Sequence, residues 1–184
     1  ATHPFAINIS KSLSNVCNLL GKKLHRYERF NDNINKTSTT IISDLYGIKD
    51  SDLVNKNLLL AIGSRSLGEV AKYYCDMGAN VFARIIATQD SILNAFASSI
   101  KSSNLAILNP SKSKTEYLET ELCNFWKIDY ILCRDSGGYS QMIWEEICFR
   151  SDIKLFLLKR PEPLKNSLVF SSFDQLMDKF NSKN

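Results

Sequence analysis

Three short stretches combine glycine, hydroxyl and cationic residues in orders that could hold an anion. They are Gly63-Ser64-Arg65-Ser66, Arg134-Asp135-Ser136-Gly137-Gly138 and Lys159-Arg160-Pro161. A glycine lets the backbone come close to a ligand, and donors at a helix start are favoured partners for negative charge. The first stretch reads equally as an anion cradle or as a tight turn followed by an N-cap. In the second, adjacent glycines have no packing value on a helix. They mark either a sharp turn capped by Asp135 or Ser136, or a close approach to a bound group. In the third, Pro161 stops a strand, and its two cations taken alone read as solvated surface charge. Other chemistries find less support. The chain holds no G-x-G-x-x-G phosphate fingerprint and no G-x-S-x-G nucleophile elbow. His25 lies in a strand-like run, and Cys133 ends an apolar run, where a buried thiol is favoured over a reactive one. Five cysteines without a C-x-x-C pair, and two histidines without paired-ligand spacing, predict no metal site.

The elements that must position these stretches are legible from periodicity. Apolar runs at 57–63, 81–87, 105–110, 129–133 and 154–161 read as buried strands. Helical patterns at 66–78, 91–100, 115–126 and 140–149 alternate with them. Strands that are apolar throughout, alternating with amphipathic helices, predict a parallel sheet covered on both faces. The fold class is therefore α/β, a doubly wound, Rossmann-like parallel sheet. In such a sheet every carboxyl end opens on one edge, so the three stretches meet there together with Asn109-Pro110-Ser111-Lys112. Taken together they suggest a polyanionic ligand such as a dinucleotide phosphate. Ser66 with Glu69, and Ser113 with Glu116, have capping-box spacing. Leu67, Val70, Ala71, Tyr74 and Cys75 form one apolar stripe, which Gly78 stops. Near the start, Phe5, Ile9, Leu13, Val16, Cys17 and Leu20 recur at helical steps between Pro4 and Gly21. Residues 23–30 suit a short strand, and the polar run 31–40 suits a linker.

Composition narrows the function classes. With 44% hydrophobic and 23% charged residues, the 184-residue chain is that of an ordinary globular protein. Its net charge of +4 suits an anionic small molecule and falls short of a nucleic-acid footprint. No apolar stretch is long enough to span a bilayer. Reduced thiols without an export segment point to the cytoplasm.

The phrases ATHPFAINIS…LGKKLHRYER, LLLAIGSRSL, DYILCRDSGG and LFLLKRPEPL together resemble, in that order, the precorrin-6A reductase family of cobalamin biosynthesis. The resemblance runs from Ala1 to about Phe180. It is strongest at Ala1–Ala6, at Ile62-Gly63-Ser64, at Cys133–Gly138 and at Lys159-Arg160-Pro161. It implies two α/β domains and an NADPH-dependent reduction of one double bond in the precorrin-6A, or cobalt-precorrin-6A, macrocycle. In the family the first phrase follows a strand of the N-terminal domain. On that basis residues 1–30 are expected to be the tail of that domain, 31–52 a linker or crossover, and 53–184 a complete C-terminal Rossmann-like domain.

The resemblance also implies roles. Thr2 and His3 would face the cleft from the first domain. Gly63, Ser64, Arg65, Ser136, Gly137 and Gly138, with Thr2, would approach the cofactor, and Arg134, Lys159 and Arg160 would hold anionic groups. His3 is a candidate proton donor; hydrogen bonding to the loop that Pro4 stiffens is its favoured role. The chain departs from the family pattern at 109–114, where a G-P-F phrase is usual, and at Arg134-Asp135, where Thr-Lys is commoner. Two alternatives stand beside the reductase. One is a cofactor-free tetrapyrrole enzyme resembling uroporphyrinogen-III synthase, and the other is a binding module that lost its first domain.

Overall fold

The computed structural model describes residues 3–29, 39–49, 53–109, 117–164 and 167–181. The chain opens with α1 (Ile7–Leu19), β1 (Leu24–Tyr27) and β2 (Thr39–Ile42). Strict alternation follows: β3 (Asn57–Ala61), α2 (Leu67–Asp76), β4 (Asn80–Ile85), α3 (Gln89–Phe96) and β5 (Leu105–Ile107). It continues through α4 (Tyr117–Trp126), β6 (Tyr130–Arg134), α5 (Tyr139–Arg150) and β7 (Lys154–Leu158), and ends with β8 (Ser167–Phe170) and α6 (Phe173–Asn181). Two compact units result. Unit 1 comprises Ala1–Asn33, Ser136–Gly138 and Arg160–Asn184, and unit 2 comprises Ile34–Asp135 and Tyr139–Lys159.

Unit 2 is built on a six-stranded sheet in the order β2-β7-β6-β3-β4-β5, with every neighbouring pair parallel. The chain steps outward from β3 through β4 to β5, then returns to the other side of β3 and steps outward again through β6 and β7. That reversal is the switch point of a doubly wound fold. Leu58, Leu59 and Leu60 are all buried because both faces of β3 are covered. One face carries Leu59, Ile131, Cys133, Leu155 and Leu157 against Cys123, Trp126, Ile143, Trp144, Ile147 and Cys148 of α4 and α5. On α2 the expected stripe buries Leu67, Val70, Ala71 and Tyr74, whereas Cys75 is exposed. The Tyr74 hydroxyl donates to the Leu45 carbonyl at 2.7 Å, which ties the segment after β2 to this helix.

At the amino edge, Asn57 gathers three chain segments. Its amide donates to the carbonyls of Trp126 at 2.9 Å and Lys127 at 3.0 Å, and accepts from Asn80 at 3.0 Å. The last carbonyls of α4 are thus satisfied by a side chain from β3, where Lys127 takes a left-handed turn at φ 51°. Arg84 on β4 pairs with Glu119 of α4 at 3.4 Å, and both side chains are buried.

Several expectations are revised. Within residues 31–52, expected as a linker or crossover, Thr39–Ile42 forms a strand on the sheet edge. Its β-branched run pairs with β7 and leaves Ile41 exposed. The stretch from Arg160 onward, with Ser136–Gly138, groups with unit 1 and not with the rest of 53–184. β8 pairs in parallel with β1, His25 aligning with Leu168 and stacking on Phe170 at 5.7 Å. Helix α1 forms as expected, but it buries Ser10 and Ser14 and exposes Ile9, Leu13, Val16 and Leu20. Ser66 does not cap α2: its backbone, at φ −100° and ψ 5°, lacks the extended form of a capping residue, and no cap bond forms. Thr88 does cap, accepting from the Ser91 N–H. The Ser113–Glu116 pair lies outside the described residues. Among the described residues no helix is long and apolar enough to cross a membrane.

This packing sets three expected outcomes. Glu119→Ala should destabilise the protein by about 3–5 kcal/mol in urea denaturation, because Arg84 is left charged and buried; Arg84→Met with Glu119→Leu should recover most of that loss. Burial, then the neighbouring Glu119 charge, pushes the Cys123 thiol from 9.0 up to about 12. Burial likewise raises Cys133 and Cys148. The unfolded thiols lose their protons near 9.0 while folded Cys123 holds its own to about 12. Stability should therefore be undiminished below that window and fall as pH rises through it. Maleimide should label Cys75 in the folded protein, and Cys123, Cys133 and Cys148 only on unfolding.

Candidate functional site

Because β3 and β6 are parallel neighbours, Gly63 and Asp135 leave the sheet at the same edge, on either side of the switch point. Gly63 has φ +79°, a left-handed conformation that makes glycine the natural choice. A Cβ built there would lie 3.7 Å from Arg134 Nη1, an ordinary contact, so backbone conformation and not space demands glycine. The Arg134 guanidinium thus lies over the turn after β3. Burial, and then the positive charge of Arg65, push the Arg134 pKa down. Arginine keeps its proton regardless.

Ser64 sits in a chain of hydroxyls. It donates to Ser91 Oγ at 3.2 Å, and the Thr88 hydroxyl meets the same oxygen at 2.9 Å. Asn94 Nδ2 lies 3.5 Å from Ser64 Oγ. The chain joins the loops that follow β3 and β4, so Ser64 acts first as a brace. Further along the edge, the Ala87 N–H donates to Asn109 Oδ1 at 3.1 Å, and the Lys159 N–H to the Ile42 carbonyl at 2.8 Å. Lys159 is exposed. Pro110, Ser111 and Lys112 lie outside the described residues.

Sequence reasoning missed a polar chain behind Asp135. Gln141 Nε2 donates to Glu145 Oε1 at 2.7 Å and reaches Asp135 Oδ1 at 3.4 Å. Gln141 and Glu145 are buried. The available signal was a Gln and a Glu four residues apart on a helix whose other inward positions are apolar.

Unit 1 holds the remaining sequence-predicted residues, except Thr2, which lies outside the described ones. His3 Nδ1 accepts from the Phe5 N–H at 3.2 Å, the turn-stiffening role favoured from sequence. With Nδ1 as acceptor, the neutral ring carries its proton on Nε2. Of the paired glycines, Gly137 has φ +62°, so the conformational demand falls there and not on Gly138. The Gly138 N–H bonds Ser136 Oγ at 3.3 Å. A Cβ at Gly138 would meet Ser136 Oγ at 3.5 Å and Arg29 Cζ and Nη2 at 3.6 Å. Arg160 Nη1 donates to the Arg29 carbonyl at 3.1 Å. Arg29 was not singled out from sequence; its partners are remote in the chain.

The structure therefore gathers Gly63, Arg65 and Arg134, braced by Ser64, in unit 2. It gathers Ser136, Gly137, Gly138 and Arg160, with Arg29, in unit 1. A groove of about 460 Å³ lined by Thr39, Lys56, Asp129, Ser151 and Lys154 lies at the opposite, amino edge of the sheet, away from these loops. Among the described residues no group of three His, Cys, Asp or Glu could hold a metal ion.

A family model described as precorrin-6x reductase CbiJ/CobK matches residues 1–181. The curated cobalt-precorrin-6A reductase of Methanocaldococcus jannaschii is 27% identical over 183 residues, covering 96% of this chain and 68% of that protein. A solved structure of CobK precorrin-6A reductase has a TM-score of 0.75 at 18% identity, covering 99% of this chain and 71% of that one. That likeness is one of fold.

The glycine geometry sets a stability prediction. Gly137→Ala should cost about 1–2 kcal/mol, the strain of a left-handed residue with a Cβ. Gly138→Ala should stay within about 0.5 kcal/mol of wild type. Thermal denaturation of both variants checks this, and equal losses would contradict it.

Proposed function

This chain belongs to the precorrin-6x reductase CbiJ/CobK family, oxidoreductases of cobalamin biosynthesis, and from that premise we propose that it uses NADPH to reduce one double bond of the precorrin-6A or cobalt-precorrin-6A macrocycle. The observation that carries the reading is the placement of Arg134 over Gly63 at the switch point, with Arg65 close enough to depress its pKa. Doubly wound sheets bind dinucleotides at that crevice. Two guanidiniums near that turn suit a dinucleotide phosphate, which each could grip through a planar fork of donors. This also accounts for the absent G-x-G-x-x-G phrase, since cationic side chains take over a task that backbone amides perform elsewhere.

When bound, NADPH supplies the hydride. The chain's own residues supply position and charge. The hydroxyl chain from Ser64 through Ser91 to Thr88 holds the loop after β3 against the loop after β4, keeping Arg65 in place. Gln141, anchored on buried Glu145, orients Asp135 beside Arg134. Lys159 adds exposed positive charge along the edge for a substrate rich in carboxylates. His3, with its proton on Nε2, is the proposed donor of the proton that completes the reduction. We place the reaction in the cytoplasm.

The test is NADPH binding, followed by fluorescence at two salt concentrations. Arg134→Ala and Arg65→Ala should each lose about ten- to hundredfold in affinity, equivalent to about 1.5–3 kcal/mol for a charged hydrogen bond. Arg65→Lys should recover part of the loss, because a point charge replaces the fork. Wild-type affinity in both alanine variants would move the cofactor away from the switch point.

A further inference from the structure

We propose that Ser91 and Asn94 are positioning residues that make Ser64 a hydrogen-bond donor to an oxyanion bound at the turn after β3. The proposal rests on the reading above that an anionic ligand binds beside Gly63, Arg65 and Arg134. Thr88, Ser91 and Asn94 stand at three-residue steps, Thr88 as the cap of α3 and the others within it, which lines them up on one helix face. That face reaches the turn after β3 at Ser64 Oγ. Ser91 Oγ lies 3.2 Å from this atom and Asn94 Nδ2 lies 3.5 Å from it. Ser91 Oγ also lies 2.9 Å from the Thr88 hydroxyl, which in turn accepts from the Ser91 N–H.

The protons of this chain of hydroxyls do not all fit inside it. Ser64, Ser91 and Thr88 bring three hydroxyl protons to two oxygen–oxygen links, and each link consumes one. Ser91 is buried, so leaving its proton without an acceptor would cost a hydrogen bond. The spare proton therefore belongs to one of the two ends. If Ser91 donates to Thr88, Ser64 donates to Ser91 and its proton is used inside the chain. If Ser91 donates to Ser64, Thr88 donates to Ser91 and the Ser64 proton points outward. In this second order Ser64 Oγ accepts from Ser91 and from the Asn94 amide, which fills both of its lone pairs. Ser64 then has only a proton to offer a ligand, and an oxyanion is the partner that suits it. Such an anion selects the second order, because hydrogen bonds to charged acceptors are the stronger ones. Both orders keep the same two internal links, so the reversal leaves the brace between the two loops intact.

The experiment uses the full chain, with Asn94→Asp and Ser91→Ala each made alone and in a Ser64→Ala background. NADPH and inorganic pyrophosphate are the probes, bound at high salt, where a charge added at position 94 is screened. Asn94→Asp keeps the shape of the side chain but turns a donor into an acceptor, which draws the Ser64 proton inward. Asn94 is exposed, so the fold is retained, and melting temperature serves as the control. Ser64→Ala and Asn94→Asp should each weaken binding of both probes by about tenfold or more. Ser91→Ala, which removes the internal donor, should cost about threefold. Neither the Asn94 nor the Ser91 change should cost more than about twofold once Ser64 is alanine, because no hydroxyl remains to be turned. Losses that are equal with and without Ser64 would mean a structural role and overturn the proposal. So would wild-type affinity for both probes in Ser64→Ala. If the chain binds pyrophosphate with this dependence on Ser64 and Asn94 but binds no NADPH, the proposal stands and the cofactor reading fails.

Discussion

The pairing of β3 with β6 is the constraint on which unit 2 depends. Leu58–Ala61 align with Tyr130–Cys133 in parallel, although an α-β-α-β-α excursion separates the two strands in sequence. Closing so long a loop costs chain entropy that local structure cannot offset. The compensation comes from burying both strands on both faces, with leucine and isoleucine at nearly every inward position. Once that pairing forms, β4 and β5 must extend to one side and β7 and β2 to the other. The turns after β3 and β6 then face each other at the switch point. Asn57 secures the far end of the same pair by bonding the exit of α4 and, through its N–H, Asp129 at 2.8 Å.

Electrostatics divides the arginines by role. Arg84 and Arg26 are buried and each is paired with a glutamate, so their charge is spent within the fold. Removing either acid would leave an uncompensated buried charge, which is why such pairs persist even where their net contribution is small. Arg134 is half-buried, and burial, then the positive charge of Arg65, lower its pKa.

The proposed function asks the protein to tell apart two anionic molecules, a nicotinamide dinucleotide and a polycarboxylate macrocycle, so selectivity must come from geometry as well as charge. Arginine suits such a task, because its fork fixes the orientation of the group it holds.

Much of the fold was legible in the sequence. Runs such as Leu58–Leu60 and Leu155–Leu158, apolar without alternation, could only be strands covered on both faces, and the helices between them forced parallel connections. That in turn placed Gly63 and Arg134 at one edge. Backbone demand was partly legible: a Gly-Gly pair announced a special turn, but which glycine carries the left-handed φ depended on how the turn seats. The sequence could not show that Ser66 leaves α2 uncapped, that Thr39–Ile42 joins the sheet, or that β8 pairs with β1. Nor could it show that Gln141 reaches Asp135, or that Arg29 covers Gly138. Periodicity records which face a residue takes, because that follows from its immediate neighbours in the chain. A partner is chosen by which distant segments come to lie side by side, and only the packed tertiary structure decides that.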